Sequence, residues 1–316
     1  MKKRSIIITG GNSGLGYECA WNIVSASKEY LIVLACRNPE KASAAVGRLR
    51  KETGHDDIVA LELELASLDS VRAFRQKYDA ENMPPIYAIV CNAGLNPIDV
   101  TYTKDGFETT FGVNHLGHFL FANLMLKSVV NDGRIVFVSS DTHEPPKFFP
   151  FPAPVFESAE QLAHPDEKAL NDRTTLLLRY PTSKLCNILC AYEMSDRLRE
   201  ETDLGITVNA FNPGLMTNTN FNAASSGFAA RLFLSGVMSL LGAMTGRLGN
   251  VKSSGKALAA MITDKRYEEA TKKYIDRGKE VKSSPASCDR EAARKLWAES
   301  AGLVKLCSEE TMLSVM

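Results

Sequence analysis

Short apolar runs alternate with longer amphipathic stretches along the first two-thirds of the chain. The apolar runs predict strands at residues 5–10, 31–36, 58–63, 86–92, 134–140 and 206–212. The stretches between them predict helices at residues 16–27, 39–53, 68–78, 107–130 and 182–201. Several strand runs are continuously hydrophobic, as expected where helices cover both faces of a sheet. The alternation therefore predicts an α/β fold, a doubly wound parallel sheet with helices on both faces.

Two segments interrupt this alternation. Residues 141–179 are rich in proline and contain two Phe-Pro steps, so we expect a long, partly structured insert. Residues 221–250 are apolar but interrupted by Arg231, and their longest apolar run falls short of the roughly 20 residues of a membrane span. We expect either a lid over an apolar ligand or a buried core helix. The chain, residues 1–316, is thus predicted to be a single domain with an insert and a lid.

Charge and cysteine content narrow the class of protein. The chain has 37 basic and 37 acidic side chains, so its zero net charge gives no electrostatic reason to expect nucleic acid as a partner. The apolar run near the N-terminus is too short for a signal peptide. Seven cysteines form no Cys-x-x-Cys pair and no zinc spacing, which favours buried, reduced thiols in a cytoplasmic protein without a metal site. We expect His115 and His118 to be structural.

The segment ITGGNSGLG ends the first predicted strand and begins the first predicted helix. Gly10, Gly14 and Gly16 can adopt backbone conformations and close contacts that a side chain would prevent. The helix N-terminus that follows offers free N–H groups and the positive end of the helix dipole to a phosphate. Because the glycines lie between a strand and a helix, they predict a dinucleotide cradle.

The end of the second predicted strand indicates which dinucleotide. An NAD site usually has an acidic residue there, whereas this chain has Ala35, Cys36 and then Arg37. A guanidinium can bind a 2′-phosphate through bidentate, charge-assisted hydrogen bonds. NADP(H) is therefore the predicted cofactor, and an ordinary surface position for Arg37 is the alternative.

Further short motifs follow the later predicted strands. They are CNAG at residues 91–94, NHLGHF with Asn114, VSS at 138–140, YPTSK at 180–184 and NPG at 212–214. Together with the glycine segment, these motifs resemble the short-chain dehydrogenase/reductase family, and the resemblance covers nearly the whole chain. It implies a Rossmann-type fold and four catalytic residues, Asn114, Ser140, Tyr180 and Lys184.

The resemblance also implies which residues contact the cofactor. They are Gly10, Asn12, Ser13, Gly14, Leu15, Gly16, Arg37, Glu64, Leu65, Asn92, Ala93, Gly94, Tyr180, Lys184, Pro213, Gly214, Thr217 and Thr219. Glu64 stands where the family usually has an aspartate. Asn218 holds the commonest position of a threonine that contacts the nicotinamide, so its neighbours Thr217 and Thr219 are both candidates for that contact.

The Tyr-x-x-x-Lys spacing has a physical reason. A free phenol has a pKa near 10 and is a poor base at neutral pH, so we expect the Lys184 ammonium and the nicotinamide cation to lower the pKa of Tyr180. Pro181 belongs in the first turn of a helix, which predicts that Tyr180 lies at the helix entrance and faces the cleft. By resemblance, Ser140 would bind the substrate oxygen, and Asn114 would hold a water that relays protons past Lys184.

The chain is most similar to the branch that contains light-dependent protochlorophyllide reductases and retinol dehydrogenases. Asn212 and Leu215 replace a tyrosine and a cysteine of the pigment reductases, which counts against pigment reduction. The resemblance implies an NADP(H)-dependent enzyme that acts on the carbonyl or alcohol of a bulky hydrophobic substrate. A pigment reductase and a non-catalytic NADP-binding regulatory protein are the alternatives. Peripheral membrane contact through residues 221–250 and the oligomeric state are left open.

Overall fold

One sheet of eight strands organises the structure, a computed structural model that describes residues 3–97, 99–145, 152–214 and 249–315. The strands are β1 (Arg4–Thr9), β2 (Tyr30–Cys36), β3 (Ile58–Glu62), β4 (Ile86–Cys91), β5 (Val129–Val138), β6 (Thr207–Asn212), β7 (Tyr274–Asp276) and β8 (Lys279–Val281). Their order is β3-β2-β1-β4-β5-β6-β7-β8, and all neighbours are parallel except β7 and β8. The predicted doubly wound sheet is confirmed. Its topological switch lies between β1 and β4, where such folds bind ligands.

The central strand β1 shows why the strand runs are continuously apolar. Ile6, Ile7 and Ile8 are all fully buried. Ile7 belongs to the core on one side of the sheet, and Ile6 and Ile8 belong to the core on the other. Successive side chains of a strand point to opposite faces, so a sheet covered on both sides needs an apolar residue at every position.

Helices supply both covering layers. They are α1 (Gly14–Ala26), α2 (Pro39–Thr53), α3 (Leu68–Ala80), α4 (Thr109–Phe111), α5 (Gly117–Leu126), α6 (Ala159–Ala163), α7 (Glu167–Asn171), α8 (Arg173–Glu201), α9 (Val251–Thr263) and α10 (Arg290–Leu303). A π-helical turn, Gly112–Leu116, joins α4 to α5. Helices α1, α2 and α9 contribute to one core, while α3, α5, α8 and α10 contribute to the other.

Helix α8 begins earlier than the sequence predicts. Its first residue is Arg173 rather than residue 182, because the Asp172 side chain accepts hydrogen bonds from two N–H groups of the first turn. Pro181 therefore lies inside the helix, and the expectation that Tyr180 lies at the helix entrance is wrong. Since proline has no N–H, α8 lacks one backbone hydrogen bond in this turn.

The insert at 141–179 is largely helical where the structure describes it. It contains a 3₁₀ turn, Asp141–His143, as well as α6 and α7, and its last residues belong to α8. The sequence also missed the early start of β5 at Val129 and the two short strands β7 and β8. Strands of three residues, such as β7 and β8, are too short to produce a periodic pattern.

The structure tests the expectation that the cysteines are buried. Five of the seven cysteines are buried, but Cys288 and Cys307 are exposed, so the expectation that all are buried is wrong for these two. Cys288 ends the 3₁₀ turn Pro285–Cys288, and Cys307 lies in a polar loop after α10. Within the described ranges, no helix is both long and apolar enough to cross a membrane.

Candidate active site

The glycine turn after β1 has the conformation that the sequence predicts. Gly10 and Gly14 have positive φ angles of 65° and 54°, which favour glycine. The Gly10 N–H donates to the main-chain oxygen of Ala35 at 2.8 Å. A Cβ on Gly16 would lie 2.7 Å from Asn92 Nδ2 and 2.8 Å from the Gly10 oxygen. The backbone here is packed so closely that no side chain fits at Gly16.

The N-terminus of α1 fits a phosphate group. Ser13 is the N-cap but makes no side-chain capping bond, and no acidic residue lies in the first turn. In contrast, the side chains of Asn38 and Ser67 cap α2 and α3. The first N–H groups of α1 thus receive no side-chain cap, and they lie beside the glycine turn. Leu15 is buried in the core, so only its backbone can face a ligand.

Arg37 and Glu64, two of the predicted cofactor contacts, lie close to each other. Arg37 is 73% exposed, and its Nε lies 3.6 Å from Glu64 Oε2. A second guanidinium lies at the glycine turn, because Arg48 Nη2 donates weakly to the main-chain oxygen of Asn12 at 3.4 Å. Leu65 packs its side chain into the core, so a cofactor contact there would involve its backbone alone.

Thr9, at the end of β1, organises the loop that follows β4. Its Oγ1 accepts hydrogen bonds from the N–H groups of Asn92 at 2.8 Å and Ala93 at 2.9 Å. Its main-chain oxygen accepts a third from Asn92 Nδ2 at 2.7 Å. The predicted residues Asn92 and Ala93 therefore lie against the glycine turn, and Gly94 follows them toward Asn114 and Lys184. Thr9 is not among the predicted site residues, although a threonine at a strand end next to the glycine motif is a signal in the sequence.

His118 connects the same threonine to Asn114. His118 Nε2 lies 2.9 Å from Thr9 Oγ1, and Nδ1 lies 3.1 Å from the main-chain oxygen of Asn114. Because a carbonyl oxygen only accepts, we assign the proton to Nδ1, and Nε2 then accepts from the threonine hydroxyl. Burial lowers the pKa of His118 to about 3, so the ring stays neutral. His118 is structural, as expected, and it holds Thr9 and the backbone of Asn114 in place within the site.

Asn114 is fully buried within the π-helical turn. Its Oδ1 accepts from the Leu95 N–H at 2.9 Å, and its Nδ2 donates to the Leu95 oxygen at 2.9 Å and to Ser183 Oγ at 3.1 Å. Both amide hydrogens are used, so the expected water would have to donate to Oδ1, which has a second lone pair. What the side chain does is join the loop after β4 to helix α8. π turns of this kind are frequent at functional sites.

The end of β5 offers two serine hydroxyls, and they have different partners. Ser139 is buried, and its Oγ donates to the main-chain oxygen of Lys184 at 2.7 Å. Ser140 is partly exposed, and its hydroxyl is hydrogen-bonded to Tyr180. Ser140 Oγ also accepts from the Thr142 N–H at 3.2 Å. The structure therefore brings Ser140, and not Ser139, to the tyrosine.

Lys184 lies beneath the tyrosine ring and is only 2% exposed. Its Nζ donates to the main-chain oxygen of Val138 at 3.0 Å and lies 5.5 Å from the centroid of the Tyr180 ring. A Cβ on Gly94 would lie 3.4 Å from the same nitrogen, which places the loop after β4 beside it. Burial lowers the pKa of Lys184 from 10.5 to about 8, so the amine is mostly protonated at neutral pH.

The pKa of Tyr180 differs from the expectation. Burial raises it well above its ordinary value, the hydrogen bond with Ser140 lowers it, and the charge of Asp141 raises it. For the groups of the chain itself, the net shift of the Tyr180 pKa is therefore opposite to the expected lowering, because burial outweighs the other effects. At neutral pH the phenol keeps its proton.

The segment after β6 is held by Asn212, which is buried. Its Oδ1 accepts from the N–H groups of Gly214 at 3.0 Å and Asp141 at 3.2 Å, and its Nδ2 donates to Asp276 at 2.8 Å. This side chain thus fixes Pro213 and Gly214 relative to the turn after Ser140. Thr217 and Thr219, Leu215 and most of the predicted lid at 221–250 lie outside the described residues.

Comparisons with known proteins agree with these motifs. Residues 4–149 match the family model described as short chain dehydrogenase. Retinol dehydrogenase 13 of Homo sapiens is 34% identical over 309 residues, which is 96% of this chain and 85% of that protein. Polyprenol dehydrogenase of Danio rerio is 30% identical over 95% of this chain and 86% of that protein. WW domain-containing oxidoreductase of Homo sapiens is 36% identical over 69% of this chain. The matched part is half of that protein's length.

Solved structures share the same fold. An uncharacterised protein of Mycobacterium paratuberculosis, 26% identical, has a TM-score of 0.65 over 96% of this chain and 94% of that one. An NADPH-bound short chain oxidoreductase of Pseudomonas aeruginosa, 17% identical, has a TM-score of 0.61 over 86% of this chain and 94% of that one. The fold, the family match and the full-length similarity to retinol dehydrogenase 13 together establish that this chain belongs to the short-chain dehydrogenase/reductase family of oxidoreductases.

Proposed function

We propose that this chain is an NADP(H)-dependent oxidoreductase that interconverts a carbonyl and an alcohol on a bulky hydrophobic substrate. Tyr180 would be the general acid and base. The observation that carries the proposal is the convergence of three groups, since Ser140 is hydrogen-bonded to Tyr180 and the Lys184 ammonium lies 5.5 Å from the same ring. They meet at the carboxyl ends of the central strands, where such sheets bind ligands.

In the direction of reduction, Tyr180 would donate its proton to the carbonyl oxygen of the substrate, and in oxidation it would take that proton back. A protonated phenol is the form that donates, and the groups of the chain itself keep Tyr180 protonated at neutral pH. Ser140 would donate a hydrogen bond to the same oxygen. The buried charge of Lys184 would favour the phenolate that remains after transfer.

The nicotinamide cofactor would supply the hydride when it is bound, and the glycine turn and the uncapped N-terminus of α1 support its binding. Gly10, Gly14 and Gly16 with the N-terminus of α1 would bind the pyrophosphate, and Arg37 would bind the 2′-phosphate. The remaining contacts would come from Asn12, Ser13, Leu15, Glu64, Leu65, Asn92, Ala93, Gly94, Tyr180, Lys184, Pro213, Gly214 and either Thr217 or Thr219. The NADPH-bound Pseudomonas structure of the same fold supports this choice of cofactor.

The names of two relatives support an apolar substrate. Retinol dehydrogenase 13 and polyprenol dehydrogenase are named for apolar alcohols, and both align with nearly the whole chain. The apolar residues 221–250 would cover such a substrate. Asn212 gives no support to pigment reduction, because its polar atoms bind Gly214, Asp141 and Asp276 rather than facing a ligand.

The test is NADPH oxidation by the purified protein with a panel of hydrophobic aldehydes, ketones and porphyrin-type pigments. We expect turnover of an aldehyde or ketone, and Tyr180→Phe should reduce it by about a hundred- to ten-thousand-fold while NADPH affinity stays nearly unchanged. Tyr267→Phe is the matched control, since this buried phenol donates to the Gly278 oxygen at 3.0 Å in another part of the fold. Equal turnover by Tyr180→Phe and wild type would remove Tyr180 from the proposed role. Tight NADPH binding without any turnover would support a regulatory protein instead.

A further inference from the structure

A buried ion pair lies one residue before Tyr180. Arg179 Nη1 donates to Glu108 Oε1 at 2.9 Å, and the two side chains are 10% and 2% exposed. A buried carboxylate is unfavourable unless its oxygens are hydrogen-bonded. Here Oε1 also accepts from the Thr110 hydroxyl at 2.8 Å, and Oε2 accepts from the Phe111 N–H at 2.9 Å. The carboxylate is therefore part of a completed polar network.

The same guanidinium reaches a third segment of the site. Arg179 Nη2 donates to the main-chain oxygen of Pro97 at 3.3 Å, in the loop that begins with Asn92. Glu108 lies directly before α4, and α4 continues through the π turn to Asn114. Arg179, which lies in the same helix as Tyr180, thus contacts both the loop after β4 and the segment that leads to Asn114.

Helix α8 needs this support where Tyr180 lies. Pro181 has no N–H, so the helix lacks a backbone hydrogen bond in that turn. Beyond the proline, Ser183 accepts a hydrogen bond from Asn114 Nδ2 at 3.1 Å. Arg179 provides the corresponding connection before the tyrosine. Side chains therefore hold the interrupted turn from both ends.

We propose that the Arg179–Glu108 pair is a positioning device for Tyr180, which fixes the phenol relative to Ser140 and Asn114. This inference rests on the proposed function. A small displacement of a catalytic group lowers the rate of the chemical step even when binding persists. Breaking the pair should therefore lower kcat while the affinity for NADPH, which depends on the glycine turn, changes little.

A second buried pair in the same helix provides a matched control. Arg197 Nε donates to Glu193 Oε1 at 2.8 Å, and these side chains are 10% and 5% exposed. The two pairs have the same chemistry and similar burial, and Arg197 also contacts Ser314 and the ring of Trp297. Arg197 follows Tyr180 by 17 residues, which is roughly 25 Å along an α-helix. Loss of either arginine strands a buried carboxylate, but only one of the two lies beside the tyrosine.

The experiment compares Arg179→Met with Arg197→Met in steady-state turnover, NADPH affinity and thermal unfolding. Both variants should lose stability, because each strands a buried charge. Arg179→Met should also lower kcat by up to about a hundredfold, whereas Arg197→Met should keep the wild-type kcat. Arg179→Lys, which keeps the charge but not the forked geometry, should recover part of the rate. Wild-type kcat in Arg179→Met, or an equal loss in Arg197→Met, would overturn the inference.

A double variant separates positioning from stability. Arg179→Met with Glu108→Gln removes the stranded charge, so the melting temperature should recover toward wild type. The connection to Pro97 and to the helix of Asn114 is still absent, so kcat should stay low. If kcat recovered together with stability, the pair would serve folding alone.

Amide hydrogen exchange keeps this inference separate from the proposed function. In the cofactor-free protein, Arg179→Met should speed exchange in residues 177–184, while Arg197→Met should not. If the wild type turns over no substrate, the proposed function fails but this measurement still reports whether the pair holds the turn. Unchanged exchange in residues 177–184 would contradict the inference whether or not the enzyme is active.

Discussion

His143 Nδ1 lies 2.7 Å from the main-chain oxygen of Ser140, and Nε2 of the same ring lies 3.1 Å from the backbone nitrogen of Ser284. A backbone N–H can only donate and a carbonyl can only accept, so Nε2 is the acceptor and Nδ1 carries the proton. The ring is thus a neutral imidazole with one defined tautomer, packed 4.8 Å from the ring of Tyr274. Through it, the serine that meets Tyr180 is connected to the loop after β8.

Replacing this histidine should therefore affect turnover as well as folding. His143→Phe keeps a ring against Tyr274 but removes both hydrogen bonds and leaves the buried Ser284 N–H unpaired, which should cost about 1–3 kcal/mol of unfolding free energy. Because the Ser140 oxygen then loses its 2.7 Å hydrogen bond and keeps a weaker one of 3.3 Å from the backbone N–H of residue 143, its position is less well fixed, and kcat should also fall. Denaturant unfolding and steady-state kinetics measure the two effects.

The matched control for this variant is His55→Phe. His55 is also buried, and its Nε2 lies 3.0 Å from the Tyr30 oxygen at the start of β2, far along the chain from the serine. It should lose stability by a similar mechanism and keep the wild-type kcat. If both variants lost the same fraction of kcat, the contact of His143 with Ser140 would have no specific effect on the reaction.

Burial of the Lys184 ammonium should lower the unfolding free energy of the protein. Its pKa falls from 10.5 to about 8 on burial, so between these pH values the unfolded chain binds more protons than the folded one. The unfolding free energy therefore rises with pH through that window. Below pH 8 the buried amine is charged, and burying it lowers the unfolding free energy by the full amount of about 3 kcal/mol. The Val138 oxygen would remain hydrogen-bonded after its removal, because Asn187 Nδ2 also donates to it at 3.2 Å.

Lys184→Met should accordingly raise the unfolding free energy of the cofactor-free protein at pH 7 by up to about 3 kcal/mol, while abolishing turnover. The gain should shrink as the pH rises from 8 to 10.5, which chemical denaturation at several pH values can measure. Lys51→Met, at an exposed position of α2, is the control and should give no such pH-dependent gain. A variant less stable than wild type at pH 7 would show that the buried amine stabilises the fold.

The sequence predicts the sheet and the position of the site for a physical reason. Six apolar runs correspond to β1–β6, because strands buried on both faces need apolar residues throughout. Parallel strands end at one edge of the sheet, so motifs that follow different strands meet in space. This is why Ser140 after β5 lies beside Tyr180 of α8, as the order of the motifs implies.

Other parts of the site could not be read from the sequence. Arg179 and Glu108 are 71 residues apart, and nothing in either segment marks them as partners. The π turn around Asn114 depends on which backbone groups pair after packing, which side-chain periodicity does not report. The predicted start of α8 was wrong because proline is commonest in the first turn of a helix, which suggested a start near Pro181. The helix starts earlier, where the Asp172 side chain caps it.

Cofactor preference should depend on the charge balance between Arg37 and Glu64. The guanidinium is exposed and only 3.6 Å from the carboxylate, so it is available to a 2′-phosphate and is partly opposed by Glu64. Arg37→Glu should weaken NADPH binding by about ten- to a hundredfold, the effect of losing one charge-assisted hydrogen-bonding group. NADH binding, which involves no 2′-phosphate, should weaken far less.

Titration calorimetry with both dinucleotides measures this preference, and the opposite change offers a second check. Glu64→Gln removes the competing charge, so NADPH should bind more tightly relative to NADH. Arg199→Glu is the matched control, because Arg199 is similarly exposed and lies 3.0 Å from a carboxylate, that of Asp196, near the end of α8. It makes the same change in net charge but should leave the NADPH-to-NADH ratio at the wild-type value. Equal losses of both dinucleotides in Arg37→Glu would remove this residue from the 2′-phosphate site and leave the alternative that it is an ordinary surface arginine.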